Sequence, residues 1–232
     1  MSTHRLLLGL LASLSCIATS ASARAADSPP PPPRDRVASA TSDAPPAYEH
    51  GYQVALQGGY GMLAGNAERG TSLSGLVGNV VPIDVSLGYK FTRHWTFDAR
   101  LGLSFGGCGD DRIGGESCTS IGTRLGPDFV YAFRPDKFLN PWIGLGAAFT
   151  TMSTGGPDKV HYTGFDFAHV MFGVDGRYAK AFGIGPYVDF GAGTFLDRNA
   201  SPSLVNAGAV AANDAPSVYY SMTIGARITF MP

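Results

Sequence analysis

The feature that most constrains this chain is an alternation of apolar with polar or small side chains at a period of two residues. In the last segment, from Ser217 to Phe230, the even positions hold Val, Tyr, Met, Ile, Ala, Ile and Phe, and most odd positions hold Ser, Thr, Gly or Arg. A period of two over these fourteen residues predicts a β-strand, because a helix would scatter both sets of side chains around its axis.

The same alternation predicts eight strands, which cover residues 52–62, 81–91, 95–105, 121–133, 140–151, 165–178, 182–195 and 217–230. Short connections follow strands two, four and six, and long ones follow strands one, three, five and seven. No segment after the first 25 residues reaches the roughly 18 apolar residues that indicate a transmembrane helix. An even number of strands with alternating short turns and long loops predicts an all-β fold, an eight-stranded antiparallel up-and-down transmembrane β-barrel.

Charge indicates which face of this sheet meets lipid. Only 15% of the residues are charged and 31 of 232 are glycine, and the charged strand residues share a face with small residues. A charge facing lipid is costly, so this face is predicted to line the lumen, whereas a soluble barrel, the alternative fold, would invert the pattern. The predicted lumen residues are Asp84, Lys90, Asp98, Arg100, Arg124, Asp128, His169, Asp175, Arg177, Asp189 and Arg227.

The balance of these charges predicts a paired network that fills the lumen. Five acids face five bases, and unpaired buried charges are costly. A narrow path for ions or small solutes is the alternative, because eight inward glycines leave room for water. These are Gly59, Gly88, Gly102, Gly144, Gly146, Gly173, Gly191 and Gly193.

The first fifty residues indicate export and a spacer. Residues 1–25 combine a basic start, an apolar stretch and Ala-x-Ala sites, which predicts a cleaved signal peptide. Residues 26–50 include five consecutive prolines and are predicted to form a periplasmic linker, leaving residues 51–230 as the barrel. The alternative is a lipoprotein signal, in which the leader is cleaved before Cys16 and this cysteine is lipidated.

Two cysteines remain after the leader, Cys108 and Cys118, both in the second long connection. In an oxidising compartment such a close pair predicts a disulfide, with a metal pair as the rival interpretation. The acidic residues Asp110, Asp111 and Glu116 lie between them without the spacing of a calcium loop, so a solvated loop is expected.

Three short stretches resemble the outer-membrane β-barrel family of OmpA/OmpX type over residues 51–230. These are Arg124-x-Gly126-Pro127, Asn140-Pro141-Trp142-Ile143-Gly144-Leu145-Gly146 and Gly225-Ala226-Arg227-Ile228-Thr229-Phe230. The resemblance implies that the terminal aromatic, Phe230, is the assembly signal read by the barrel-insertion machinery, here displaced from the end by two residues.

The sequence favours a structural or surface-interaction role in the outer membrane. A net charge of −1 argues against a nucleic-acid partner, and we expect no cofactor and a monomer. Expected partners are outer-membrane lipid, the insertion machinery and an unidentified ligand of the extracellular loops. Ser153, Asp158 and His161 share a loop and keep a lipid-modifying enzyme as a weaker alternative, but no nucleophile motif accompanies them, so no enzyme is predicted.

Overall fold

A computed structural model describes the chain at residues 50–68, 71–109, 118–155, 159–179, 181–200 and 217–231. The predicted signal peptide, Cys16 and all of the predicted linker except His50 lie outside these residues. The described elements are β1 (Gly51–Glu68), β2 (Thr71–Ser72), α1 (Leu73–Leu76), β3 (Val80–Lys90), β4 (Trp95–Gly107), β5 (Thr119–Ala132), β6 (Leu139–Gly155), β7 (Lys159–Ala179), β8 (Phe182–Ala200) and β9 (Val218–Phe230).

Eight of the nine described strands form a closed antiparallel barrel. Each strand from β3 to β9 pairs with its neighbours in chain order, β1 pairs with β3, and β1 also pairs with β9 to close the ring. The two-residue β2 pairs with β1 and lies outside the ring. The predicted eight-stranded up-and-down topology is therefore confirmed. Among the described residues no helix has the length and apolar character needed to cross a membrane.

The two faces of the sheet follow the sequence alternation. Along β4, Leu101 is 52% exposed on the outside while the adjacent Arg100 is 1% exposed on the inside. Aromatic side chains on the outer face contact one another near the short turns, for example Trp95 and Tyr131, whose ring centroids lie 4.9 Å apart. Aromatic residues towards both ends of the strands are exposed: Tyr52, Phe91, Trp95, Phe133 and Phe182 near the turns, and Tyr60 and Phe105 near the loops.

The strands extend further towards the long loops than predicted. The prediction of a loop over 152–164 is wrong for most of its length, because β6 continues to Gly155, β7 begins at Lys159, and Ser153 pairs with His161. The contrast is reversed there, because the apolar Met152, Val160 and Tyr162 face inward. Polar side chains lie on the outer face, so the alternation no longer has the pattern of the membrane-facing strands although the backbone ladder continues. Strands β1 and β8 extend in the same direction.

The first long connection folds into the loop-side end of the barrel. The short helix α1 buries Leu73 and Leu76 completely. They pack against inward residues of several strands, and we call this group the loop-side core: Ala67, Leu73, Leu76, Val77, Val80, Met152, Val160, Tyr162, Phe195 and Tyr219. The apolar side chains of α1 therefore fill space that polar loop residues would leave to water.

A β-bulge in β7 changes which residues face inward. Against β6 the register shifts between Gly146 and Ala148, and against β8 it shifts between Asp166 and Ala168, so β7 carries one extra residue relative to both neighbours. Phe167 and Ala168 are consequently both exposed, and Asp166 is fully buried. Strict alternation from His169 would turn Asp166 outward, so the inward set predicted from period alone was incomplete.

Candidate functional site: the barrel interior

A compact group of side chains crosses the middle of the barrel. The Nε of Arg100 donates to the Asp128 carboxylate at 2.6 Å, and one terminal nitrogen of Arg100 lies 3.2 Å from Oδ2 of Asp189. The ring Nε2 of His169 lies 2.5 Å from the other oxygen of Asp128. The Sδ of Met171 accepts a further contact from Arg100. Four strands thus converge on one buried guanidinium.

Towards the loops, Arg124 bridges two acids. Its Nε lies 2.7 Å from Oδ2 of Asp166, and its NH1 lies 3.5 Å from Oδ2 of Asp189. The hydroxyl of Tyr219 donates to the other Asp166 oxygen. Asp189 therefore links Arg100 to Arg124.

Towards the short turns, Arg227 lies between two acids at longer distances. Its terminal nitrogens are 3.9 Å from Asp98 and 3.8 Å from Asp175. Its guanidinium stacks 4.3 Å from the ring centroid of Trp142, whose Nε1 donates to Asp175 at 3.0 Å. A cation over an indole face is attracted by the ring quadrupole, which adds to the ion pairs.

Three of the predicted lumen charges point inward without an ion pair. Among the described residues, Asp84 and Lys90 make no ion pair within 4.0 Å, although they are only 7% and 4% exposed. Arg177 donates instead to the carbonyl oxygen of Pro135 at 2.6 Å. The pairing therefore runs through Arg100, Arg124 and Arg227 and leaves these three side chains outside it.

Two cavities lie on opposite sides of the middle of the barrel. The loop-side cavity has a volume of about 80 Å³, and its lining includes Asp84, Arg124 and Asp189. The turn-side cavity has a volume of about 20 Å³, and its lining includes Lys90 and Arg227. Between the two cavities lies a group of inward residues that line neither of them. We call this group the mid-barrel layer: Asp98, Arg100, Asp128, His169, Met171 and Tyr187.

The inward glycines make room for charged side chains. A Cβ at Gly146 would collide with the Asp128 carboxylate and the His169 ring. A Cβ at Gly88 would meet Asp98, and one at Gly102 would meet Asp84. The expectation that these glycines leave space for water is therefore wrong at Gly88 and Gly146, where side chains of adjacent strands occupy the space, whereas Gly102 also lines the loop-side cavity.

Sequence reasoning did not identify four of the interior residues with partners. The alternation assigned Asp166 to the outer face because it does not reveal the bulge. The free-energy cost of a carboxylate in lipid would have indicated the inward position. The alternation places Tyr219, Trp142 and Met171 on the inward face. It does not indicate which inward residues they contact, because the partners lie on other strands.

A second buried cluster fixes the loop-side end. Both carboxylate oxygens of Glu68 accept from Arg198, at 2.8 and 2.9 Å, and the hydroxyls of Thr71 and Tyr162 also contact Glu68. Burial, and then the charge of Glu68, raise the pKa of Tyr162. The cluster joins the ends of β1, β7 and β8, and no feature of the sequence indicated it.

The predicted Cys108–Cys118 disulfide is present, and both residues pack against the loop-side core. The Sγ of Cys108 lies 3.1 Å from the hydroxyl of Thr154, which also donates to the carbonyl oxygen of Leu76. The disulfide therefore lies beside α1. Asp110, Asp111 and Glu116 lie outside the described residues. No metal-binding group of three or more His, Cys, Asp or Glu occurs in the described part of the chain.

The residues of the weaker enzyme alternative are only partly described. Ser153 and His161 lie opposite each other on β6 and β7, and Asp158 lies outside the described residues. Nε2 of the exposed His161 lies 3.5 Å from the hydroxyl of Thr163. Phe230 is 48% exposed and pairs with Val54 and Phe182, and its predicted role as an assembly signal stays a prediction.

Comparison with known proteins identifies the fold. No protein-family model and no curated protein matches the chain. The crystal structure of Neisserial surface protein A is similar to it with a TM-score of 0.51 and 11% identity, over 79% of this chain and 99% of that one. The outer membrane protein OprG from Pseudomonas aeruginosa is similar with a TM-score of 0.43 and 12% identity, over 80% and 99%. The predicted resemblance to eight-stranded barrels of OmpA/OmpX type is confirmed at the level of the fold.

Proposed function

We propose that this protein is an integral outer-membrane scaffold that presents a rigid surface to partners outside the cell, with a lumen closed by paired charges. The observation that carries the proposal is the position of Arg100. Its guanidinium lies between Asp128 and Asp189 in the part of the barrel that separates the two cavities. A conducting pore needs water where this group is 1% exposed.

Support for a membrane location comes from the outer surface. Large apolar side chains, such as Leu101, Leu125 and Leu145, are more than half exposed around the barrel. A continuous apolar band of this kind is unfavourable in water and favourable in a bilayer, and the closed ring satisfies every strand edge within it. The fold shared with a surface protein of Neisseria agrees with this location.

Support for an interaction role comes from the loop-side end. Strands β6, β7 and β8 are 17, 21 and 19 residues long, whereas about 9–11 residues cross a bilayer. The loop-side core, the disulfide and the Glu68–Arg198 ion pair stabilise the parts of these strands that extend beyond the bilayer. A preordered surface loses less conformational entropy when a partner binds.

A small-solute or ion pore is the second candidate. The loop-side cavity of about 80 Å³ favours it, because hydroxyl groups of Ser104, Ser221 and Thr223 and the charged Asp84 line the space. Passage from this cavity to the turn side would require the mid-barrel layer to move.

Single-channel recording of the refolded protein in a planar bilayer separates the two functions. We expect no conductance steps from the wild type, because Arg100 and its partners block the lumen. Reproducible steps that change in Arg100→Gln or Asp128→Asn would contradict the scaffold proposal and establish the pore. Lys137→Gln, at an exposed turn residue, is the matched control and should behave as the wild type.

Two preliminary measurements test the membrane part of the proposal. The unheated protein should migrate faster than the boiled protein in a denaturing gel, because a closed barrel resists detergent. The expressed protein should fractionate with outer membranes on a density gradient. Absence of the gel shift, or recovery in the soluble fraction, would contradict an integral barrel.

A further inference from the structure

We propose that the turn-side cavity is a binding site for a single halide ion, chloride being the natural candidate, with Lys90 as its principal ligand. The cavity lies where β3 and β5 end and β4 and β6 begin. Its lining contains three cationic side chains, Lys90, Arg177 and Arg227, and one carboxylate, Asp175.

The one carboxylate is already engaged. Asp175 accepts a hydrogen bond from Nε1 of Trp142 at 3.0 Å and lies 3.8 Å from Arg227. Arg177 donates to the carbonyl oxygen of Pro135, and its other terminal nitrogen contacts the Sδ of Met231. Neither contact of Arg177 supplies a negative charge.

Lys90 is the group that needs a partner. It is 4% exposed, and it makes neither a hydrogen bond nor an ion pair with any residue that the structure describes. The charge of Arg177 acts unfavourably on that of Lys90, and Asp136, which pairs with Arg93, offsets part of this repulsion. Partial desolvation of the Lys90 charge is unfavourable, so an anion in the cavity would offset both this cost and the repulsion from Arg177.

Neutral groups around the cavity complete a set of donors. The hydroxyl of Thr96 and the amides of Gln53 and Asn140 line it, whereas the hydroxyl of Thr229, which also lines it, donates to the carbonyl oxygen of Gly183 at 3.4 Å. Oδ1 of Asn140 accepts from the backbone nitrogen of Arg134 at 3.1 Å, so the amide NH₂ group is the part left to donate. Hydroxyl, amide and ammonium donors around one point suit an anion.

Size selects a monatomic ion. A cavity of about 20 Å³ accommodates little more than one particle of the size of a water molecule. Sulfate and phosphate are too large for this space. The loop-side cavity gives an internal contrast, since two acids, Asp84 and Asp189, face one base there, and no anion site is expected.

Trp142 provides a direct readout, because it lines the cavity and is 2% exposed. Bromide quenches indole fluorescence on contact, and the chain has two tryptophans, Trp95 and Trp142. In refolded Trp95→Phe protein, bromide at constant ionic strength should quench the remaining emission saturably. Simple collisions would give quenching that rises linearly without a plateau.

Lys90→Gln in the Trp95→Phe background should raise the apparent bromide dissociation constant about tenfold or more, because a charge-assisted contact is lost. Lys137→Gln, which removes an exposed charge at the same end, should leave it unchanged. Unsaturable quenching in the parent protein, or equal saturation in Lys90→Gln, would overturn the proposal.

Competition keeps the proposal testable if Lys90→Gln fails to refold. Chloride should shift the bromide saturation curve of the parent protein to higher concentration, and sulfate at matched ionic strength should not. Equal effects of chloride and sulfate would show general screening and would overturn a size-selective site.

Discussion

Asp98 and Asp128 lie directly opposite each other on β4 and β5, and each carboxylate faces a different arginine. Asp128 binds Arg100 at 2.6 Å, and Asp98 lies 3.9 Å from Arg227 on β9. Like charges opposite each other in a sheet are destabilising. Each acid has a base of its own, Arg100 on β4 for Asp128 and Arg227 on β9 for Asp98, and these opposite charges offset the repulsion between the two acids.

Removing Arg100 is expected to destabilise the barrel strongly. Arg100→Met leaves Asp128 and Asp189 with less compensation in a buried site, and loss of one partner of such a pair costs about 3–5 kcal/mol. Equilibrium urea unfolding in lipid vesicles measures the change. Asp136→Asn is the control, because its pair with Arg93 at 3.4 Å is about half exposed and should contribute less than about 1 kcal/mol. Equal losses would mean that the interior pairs are solvated.

An arginine on the outer face should be costly at mid-strand. Leu101 is 52% exposed and faces outward, so Leu101→Arg should cost about 2–4 kcal/mol if that face meets the bilayer midplane. Ser104→Arg should cost less, because Ser104 lines the loop-side cavity with Asp84 and Asp189. Unfolding of both variants in the same lipid gives the comparison. A larger cost at Ser104 would mean that the faces are assigned the wrong way round.

Truncation of α1 should loosen the loop-side end. Leu73 is completely buried in the loop-side core, and Leu→Ala at such a site costs about 2–5 kcal/mol. Hydrogen exchange followed by mass spectrometry should show faster exchange in α1 and in the adjacent strand ends. Ser74→Ala, on the exposed side of the same helix, should leave exchange unchanged. Identical exchange in both variants would argue against α1 as a packed element.

Loss of the disulfide should destabilise the same end. In the chain-entropy view, opening a loop with a sequence separation of 10 costs about 3 kcal/mol. Protease resistance of the loop-side segments should therefore fall when a reductant is added. The Cys108→Ala/Cys118→Ala variant should show the lower resistance without reductant and no further change with it. A reductant effect that persists in this variant would assign the change to another cause.

Adding one methyl group beside the Asp128–His169 contact should be harmful. The Cβ of Gly146→Ala would collide with both side chains, and overpacking of this kind costs about 1–3 kcal/mol. Gly107→Ala is the matched control, since nothing lies within 4 Å of its Cβ. Urea unfolding of the two variants should separate them clearly. A neutral Gly146→Ala would mean that the two side chains rearrange freely.

The sequence by itself determined the strands and most of their faces. Side chains alternate along a strand whatever lies beside it, so neighbours such as Arg100 and Leu101 carry enough local information to be assigned to opposite faces. The same argument placed Cys108 and Cys118 in one loop, close enough to form the disulfide that the structure contains.

Tertiary structure decided what local period cannot encode. The bulge that turns Asp166 inward, the burial of α1, and the continuation of β6 and β7 beyond their apolar segments depend on neighbouring strands. The choice of partners does too, since Arg100 and Asp189 lie 89 residues apart in sequence and meet across the lumen. Closure of the ring brings such residues together. Only then can a charge on one strand pair with an opposite charge on a strand across the lumen, which offsets the cost of burying both.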